Sequence, residues 1–70
     1  MPGMLEVTLN GEKQSFPAPI TVEALLDALR LDRRKVAVER NEEIVPRSRY
    51  GSTQLAPGDA LEIVHFIGGG

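Results

Sequence analysis

The sequence predicts an α+β domain in which one main helix packs on one face of a mixed sheet of four to five strands, and three observations carry that prediction. Leu5-Glu6-Val7-Thr8-Leu9 alternates apolar and polar residues and runs into Asn10-Gly11, the dipeptide most favoured in a two-residue hairpin turn. Val22, Leu25, Leu26 and Leu29 fall at i, i+3, i+4 and i+7, which is one apolar helical stripe. Leu61-Glu62-Ile63-Val64-His65-Phe66-Ile67 is a hydrophobic run of strand length that follows the turn Pro57-Gly58-Asp59. A single apolar stripe covers a single sheet face, so two layers are the simplest way to bury these surfaces.

Each element has its own local reason. Glu12 to Phe16 returns antiparallel to the first strand, and Pro17-Ala18-Pro19 ends it, because two of these three residues lack an amide hydrogen for a ladder. Thr21 offers a hydroxyl as helix N-cap, and Glu23 complements the helix dipole one turn in. Positions 30 to 35 are polar and charged and read as a loop. Val36 to Arg40 reads as a third strand, Asn41 as the turn into Glu42-Glu43-Ile44-Val45, and Pro46 as the end of that short edge strand. Arg47 to Leu55 has no clear period, with Tyr50 and Leu55 as its core anchors. Ala60 to Ile67 is the last strand. This order matches the ubiquitin-like β-grasp, in which the last strand lies centrally, beside and parallel to the first.

Composition bounds the chemistry. Seventy residues make one small domain, and the absence of cysteine excludes a disulfide framework, a cysteine nucleophile and the usual structural zinc sites. Ten acidic against eight basic residues give a net charge of -2, the opposite of a nucleic-acid footprint, and Arg33-Arg34-Lys35 with Arg47 and Arg49 reads as a solvated loop cluster. No apolar stretch is long enough to span a membrane, and the N-terminus has no signal-peptide character, so the expected location is cytoplasmic, without membrane or nucleic-acid partners. No phosphate loop, HExxH motif or serine, histidine and aspartate set is present, and His65 is the only histidine. No catalytic or metal-binding residue is therefore assigned, and the chain is not expected to be an enzyme.

The informative segment is the ending Gly68-Gly69-Gly70. Three residues without Cβ reach about 10 Å when extended and thread easily into a narrow site on another protein, which makes the Gly70 carboxylate the candidate reactive group. Residues 1–67 are expected to form the domain and 68–70 a flexible tail. Period two divides the last strand into Leu61, Ile63, His65 and Ile67 on one side, with Leu61 and Ile63 meeting the helix, and Glu62, Val64 and Phe66 on the other. A one-helix domain has nothing of its own to cover Val64 and Phe66, so these two, with Glu62 as a polar edge, are the candidate partner interface.

The segment Val38-Glu39-Arg40-Asn41-Glu42-Glu43-Ile44-Val45, Arg49-Tyr50, Asp59 with the final strand, and the ending His65-Phe66-Ile67-Gly68-Gly69-Gly70 together resemble the ThiS family, the sulfur carriers of thiamine biosynthesis. The similarity runs from the hairpin through the tail. The closing Gly-Gly is shared with ubiquitin and the small subunit of molybdopterin synthase, so specificity rests on the longer ending and on Val-Glu-Arg-Asn. The resemblance implies that an E1-like adenylyltransferase of the ThiF type couples the Gly70 carboxylate to AMP from ATP. Sulfur relayed from cysteine, through a donor such as a cysteine desulfurase system, then turns Gly70 into a thiocarboxylate, a covalent 1-thioglycine. A thiazole synthase of the ThiG type would accept the sulfur. No bound cofactor is implied, since the partner uses the ATP. The lead Met1-Pro2-Gly3 and the arginine-rich stretch from Leu31 to Lys35 depart from the family pattern. The alternatives are a carrier for molybdopterin synthesis or tRNA thiolation, and a ubiquitin-like modifier or interaction module.

Overall fold

The computed structural model describes residues 3–66. Strand β1 (Met4–Leu9) turns at Asn10 and Gly11 into β2 (Glu12–Pro17). Both turn residues have left-handed backbones, φ 50° and 86°, as the twist of a tight hairpin demands and as Asn-Gly tolerates. Pro17 pairs with Met4 as the last residue of β2, and its missing amide is harmless because β2 is an edge strand.

Helix α1 (Val22–Ala28) begins where expected, with the Thr21 hydroxyl accepting from the Ala24 amide at 3.1 Å. It stops through a Schellman-type closure. The Leu31 amide donates to the Leu26 carbonyl at 2.9 Å and the Arg30 amide to Asp27 at 3.0 Å, while Arg30 adopts φ 60°. Leu29 therefore caps the helix and is half-buried rather than lying in its last turn. The polar stretch that follows, expected to be a loop, holds a 3₁₀ turn at Arg33–Lys35, capped by Asp32, whose Oδ1 accepts the Arg34 amide at 2.9 Å.

Strand β3 (Val36–Arg40) is joined to β4 (Glu43–Val45) by Asn41 and Glu42, again both left-handed at φ 53° and 71°. A second 3₁₀ turn at Arg47–Arg49 precedes Tyr50, and β5 (Ala60–His65) completes the sheet. The strand order is β2-β1-β5-β3-β4, with β5 parallel to β1 and antiparallel to β3. The last strand is thus central and β4 is an edge, as predicted. β5 ends at His65, two residues earlier than expected. Phe66 still donates its amide to the Lys35 carbonyl at 2.9 Å, and Ile67 and the glycine tail lie outside the described residues.

The helix stripe seals one sheet face. Val22 and Leu25 have no exposed surface, and Leu5, Val7, Val38, Leu61 and Ile63 rise to meet them, with Tyr50 and Leu55 closing the open side of the core. Leu25→Ala is expected to cost about 2–5 kcal/mol, because a completely enclosed site in so small a domain cannot collapse onto the void. Urea denaturation reads this directly, and a loss below about 1 kcal/mol would show that the stripe does not hold the fold.

Candidate functional site

The side of the sheet opposite α1 carries the candidate interface, and backbone register sets its composition. β3 and β5 pair Ala37 with Val64 and Glu39 with Glu62, while β3 and β4 pair Glu39 with Ile44. Residues directly opposite share a face, so Ala37, Glu39, Ile44, Glu62 and Val64 stand together on the helix-free surface. Val64 is 58% exposed, Phe66 50% and Ile44 65%, which makes them three of the large apolar side chains left most open to solvent. Leu61 and Ile63 are buried against the helix layer, in agreement with the period-two assignment, while His65 is exposed at the strand end opposite Val36. Ile44 was missed as a surface residue of this patch. Its signal was present: Val45 faces the core, so its neighbour must face out.

Three devices hold β5 in register beneath the patch. Next to the end of β1, the Asn10 side chain accepts the Ile63 amide at 2.8 Å and donates to the Ile63 carbonyl at 3.3 Å, extending the parallel ladder by one side-chain rung. At the tail end, the bond from Phe66 to Lys35 fixes where the chain leaves the sheet. At the other end sits Asp59, which the sequence placed only in a turn. It is buried, 6% exposed, and its carboxylate accepts from Arg40 Nε at 2.8 Å, Asn41 Nδ2 at 3.1 Å and the Ala56 amide at 2.8 Å. Asn41 in turn accepts from the Ala60 amide at 2.9 Å and donates its own amide to the Ala60 carbonyl at 2.7 Å. Burial by itself would push the Asp59 carboxyl up, but the Ala56 amide, the Arg40 guanidinium and the Asn41 amide outweigh it and hold the group below the usual carboxylate range.

The same network holds Asn41 in its left-handed backbone: its side chain and its backbone amide are both anchored to Ala60 at the start of β5. A groove of about 430 Å³ opens beside it along β4, lined by Ile44, Val45, Pro46 and Arg49 among others, and adjoins the patch at Ile44. Among the described residues, no three His, Cys, Asp or Glu side chains converge as metal ligands, and no helix is long and apolar enough to cross a membrane. Gly68, Gly69 and Gly70, the expected tail and reactive terminus, lie outside the described residues; the chain leads toward them from the end of β5, beside Phe66.

A mixed five-stranded sheet with a central last strand parallel to the first, one helix across one face and an apolar patch on the other defines a ubiquitin-like β-grasp domain. The ThiS family model matches residues 6–70. The chain belongs to the ThiS family. It is 46% identical over 50 residues to the sulfur carrier protein ThiS of Bacillus subtilis, covering 71% of this chain and 76% of that protein. It is 58% identical over 66 residues to a thiazole synthase of Paramagnetospirillum magneticum, covering 94% of this chain but 20% of that protein, so the chain spans about a fifth of that relative's length. The crystal structure of a thiamine biosynthesis protein (ThiS) from Geobacter metallireducens superposes with a TM-score of 0.80 at 33% identity, covering 94% of this chain and 100% of that one.

Proposed function

We propose that the chain is a sulfur carrier of thiamine biosynthesis, with Gly70 as the atom-bearing end and the Glu62, Val64 and Phe66 side of the sheet as the docking surface. The observation that carries this reading is the family match, which spans residues 6–70, from within the first strand to the last glycine. A carboxylate is a poor electrophile. Attack of its oxygen on the α-phosphorus of ATP, with pyrophosphate leaving, gives an acyl adenylate. The terminal sulfur of a persulfide then displaces AMP to form an acyl disulfide, and a thiol reductant cleaves the S–S bond, being oxidised to its disulfide, to leave the thiocarboxylate. A ThiF-type adenylyltransferase supplies the first step, and a cysteine desulfurase system the sulfur. The protein acted upon needs only a tether and a dock.

The acceptor in this reading is a thiazole synthase of the ThiG type. Support comes from relatives named thiazole synthase that contain a segment like this chain within a protein about five times as long. Joining a donor segment to its acceptor raises their effective concentration to about the millimolar range, an advantage only when the two act on each other.

Incubation with the adenylyltransferase, ATP and a sulfur source is expected to replace one oxygen of Gly70 by sulfur, read by intact-mass and fragment-ion spectrometry. Deletion of Gly69 and Gly70 is expected to abolish the change while leaving the denaturation midpoint unaltered. An unchanged mass with all components competent would end the carrier reading.

A further inference from the structure

Cations gather at the root of the tail. The 3₁₀ turn places Arg33, Arg34 and Lys35 immediately before β3, and Phe66, from which the tail departs, is bonded through its amide to the Lys35 carbonyl at 2.9 Å. The second 3₁₀ turn adds Arg47, whose Nη2 donates to the Arg34 carbonyl at 3.4 Å and so brings a fourth cation to the same end. Two of the four are offset: Arg33 pairs with Glu23, and Arg34 with Asp32 at 3.0 Å, an arrangement that lowers the Asp32 carboxyl to about 2, chiefly through the Arg34 side chain and amide. Lys35 and Arg47 are exposed and form no ion pair among the described residues. The chain as a whole carries a charge of -2, and Glu39 and Glu62 stand opposite each other on the neighbouring sheet face. The charge is therefore polarised, with its positive pole where the tail begins.

We propose that Lys35 and Arg47, backed by Arg33 and Arg34, form a steering surface that brings the chain tail-first to a protein partner whose active-site entrance is rimmed by carboxylates. The partner is the enzyme that activates the tail, so this inference rests on the carrier reading. Four residues from Ile67 to Gly70 span about 13 Å when extended, close to the Debye length of about 10 Å at 0.1 M salt. The cations thus stay within electrostatic reach of the rim as the tail enters. A carrier must also leave each partner, and long-range attraction speeds arrival without slowing departure, unlike added buried contact. A nucleic acid is the poorer occupant: Glu39 and Glu62 on the adjacent face repel a phosphate backbone, and two uncompensated cations displace few counterions.

Stopped-flow association with the ThiF-type adenylyltransferase tests the assignment. Lys35→Glu with Arg47→Glu is expected to lower the association rate about tenfold at about 0.02 M salt, with the gap closing by about 0.3 M and dissociation changed less than about twofold. The neutral pair Lys35→Gln with Arg47→Gln is expected to fall between, and amide NMR dispersion confirms that both variants fold. An association rate indifferent to either pair, a gap that salt does not close, or tighter binding of the wild type to duplex DNA than to the enzyme overturns the proposal. If the wild type associates and is thiolated while the charge variants behave identically, steering alone is refuted. If the wild type neither associates nor is thiolated, the carrier reading falls and steering with it.

Discussion

Val64→Asp combined with Phe66→Asp is expected to weaken association with the adenylyltransferase by about 30-fold or more while the domain stays folded. A factor of that size corresponds to about 2 kcal/mol, the usual threshold for a residue that dominates an interface. Phe66 is the natural anchor because it is a large aromatic side chain, half exposed just past β5, and aromatic side chains dominate interface energetics. Fold retention follows from position and exposure: the register puts Val64 on the helix-free face, Phe66 just past β5 is half exposed, and neither belongs to the buried core around Leu25 and Leu61. Titration calorimetry measures the affinity and amide NMR the fold. An unfolded double variant would place these residues in the core, and a folded one that binds normally would move the dock elsewhere, with the Ile44 side of the sheet as the next surface to substitute.

Asp59→Ala is expected to cost about 3 kcal/mol at neutral pH. The change strands the Arg40 guanidinium, the Asn41 amide and the Ala56 amide, three donors with one acceptor group between them. Breaking a buried pair from one side costs about 3–5 kcal/mol, and the low end applies because the Arg40 side chain is 33% exposed and can turn to water. A 70-residue domain has on the order of 4–10 kcal/mol to lose. The pH dependence identifies the source. The Asp59 carboxyl titrates lower in the folded chain than in the unfolded one, so its stabilisation is complete above the unfolded value of about 3.9 and disappears as pH falls through the folded value. The stability gap between wild type and variant should therefore narrow as pH falls below about 4. A gap that stays constant from neutral pH into that range would assign the loss to packing rather than to charge.

The elements were legible wherever a local rule decides them. Asn10-Gly11 marked a hairpin because both positions need left-handed backbone, Thr21 marked a helix start, and Val22, Leu25 and Leu26 marked the buried face. Tyr50 and Leu55 read as core anchors inside an otherwise patternless stretch and are 2% and 7% exposed. What escaped was non-local or conformationally atypical. The Asp59 hub joins residues 18 and 19 positions apart, which no period reports. Glu42 and Arg30 hold left-handed backbones that their residue types do not advertise, and the two 3₁₀ turns are too short to leave a hydrophobic rhythm. At the site, alternation correctly sorted Glu62 and Val64 from Leu61 and Ile63, but the contribution of Ile44 depends on β4 lying two strands away, a fact of topology.

The placement of β5 also has a bearing on biosynthesis. The strand that joins the two halves of the sheet, Ala60–His65, is synthesised after every other element, and its partner residue Asn10 lies 53 positions earlier. Until it emerges from the ribosome, the β1 and β2 hairpin and the β3 and β4 hairpin have no shared strand, and the apolar side of α1 has only half a sheet to cover. Closing so long a loop is also the slow step expected of a non-local topology. The sheet is therefore incomplete until Ala60–His65 has left the tunnel, and the helix-free face, which takes Glu62 and Val64 from that strand, does not exist before then.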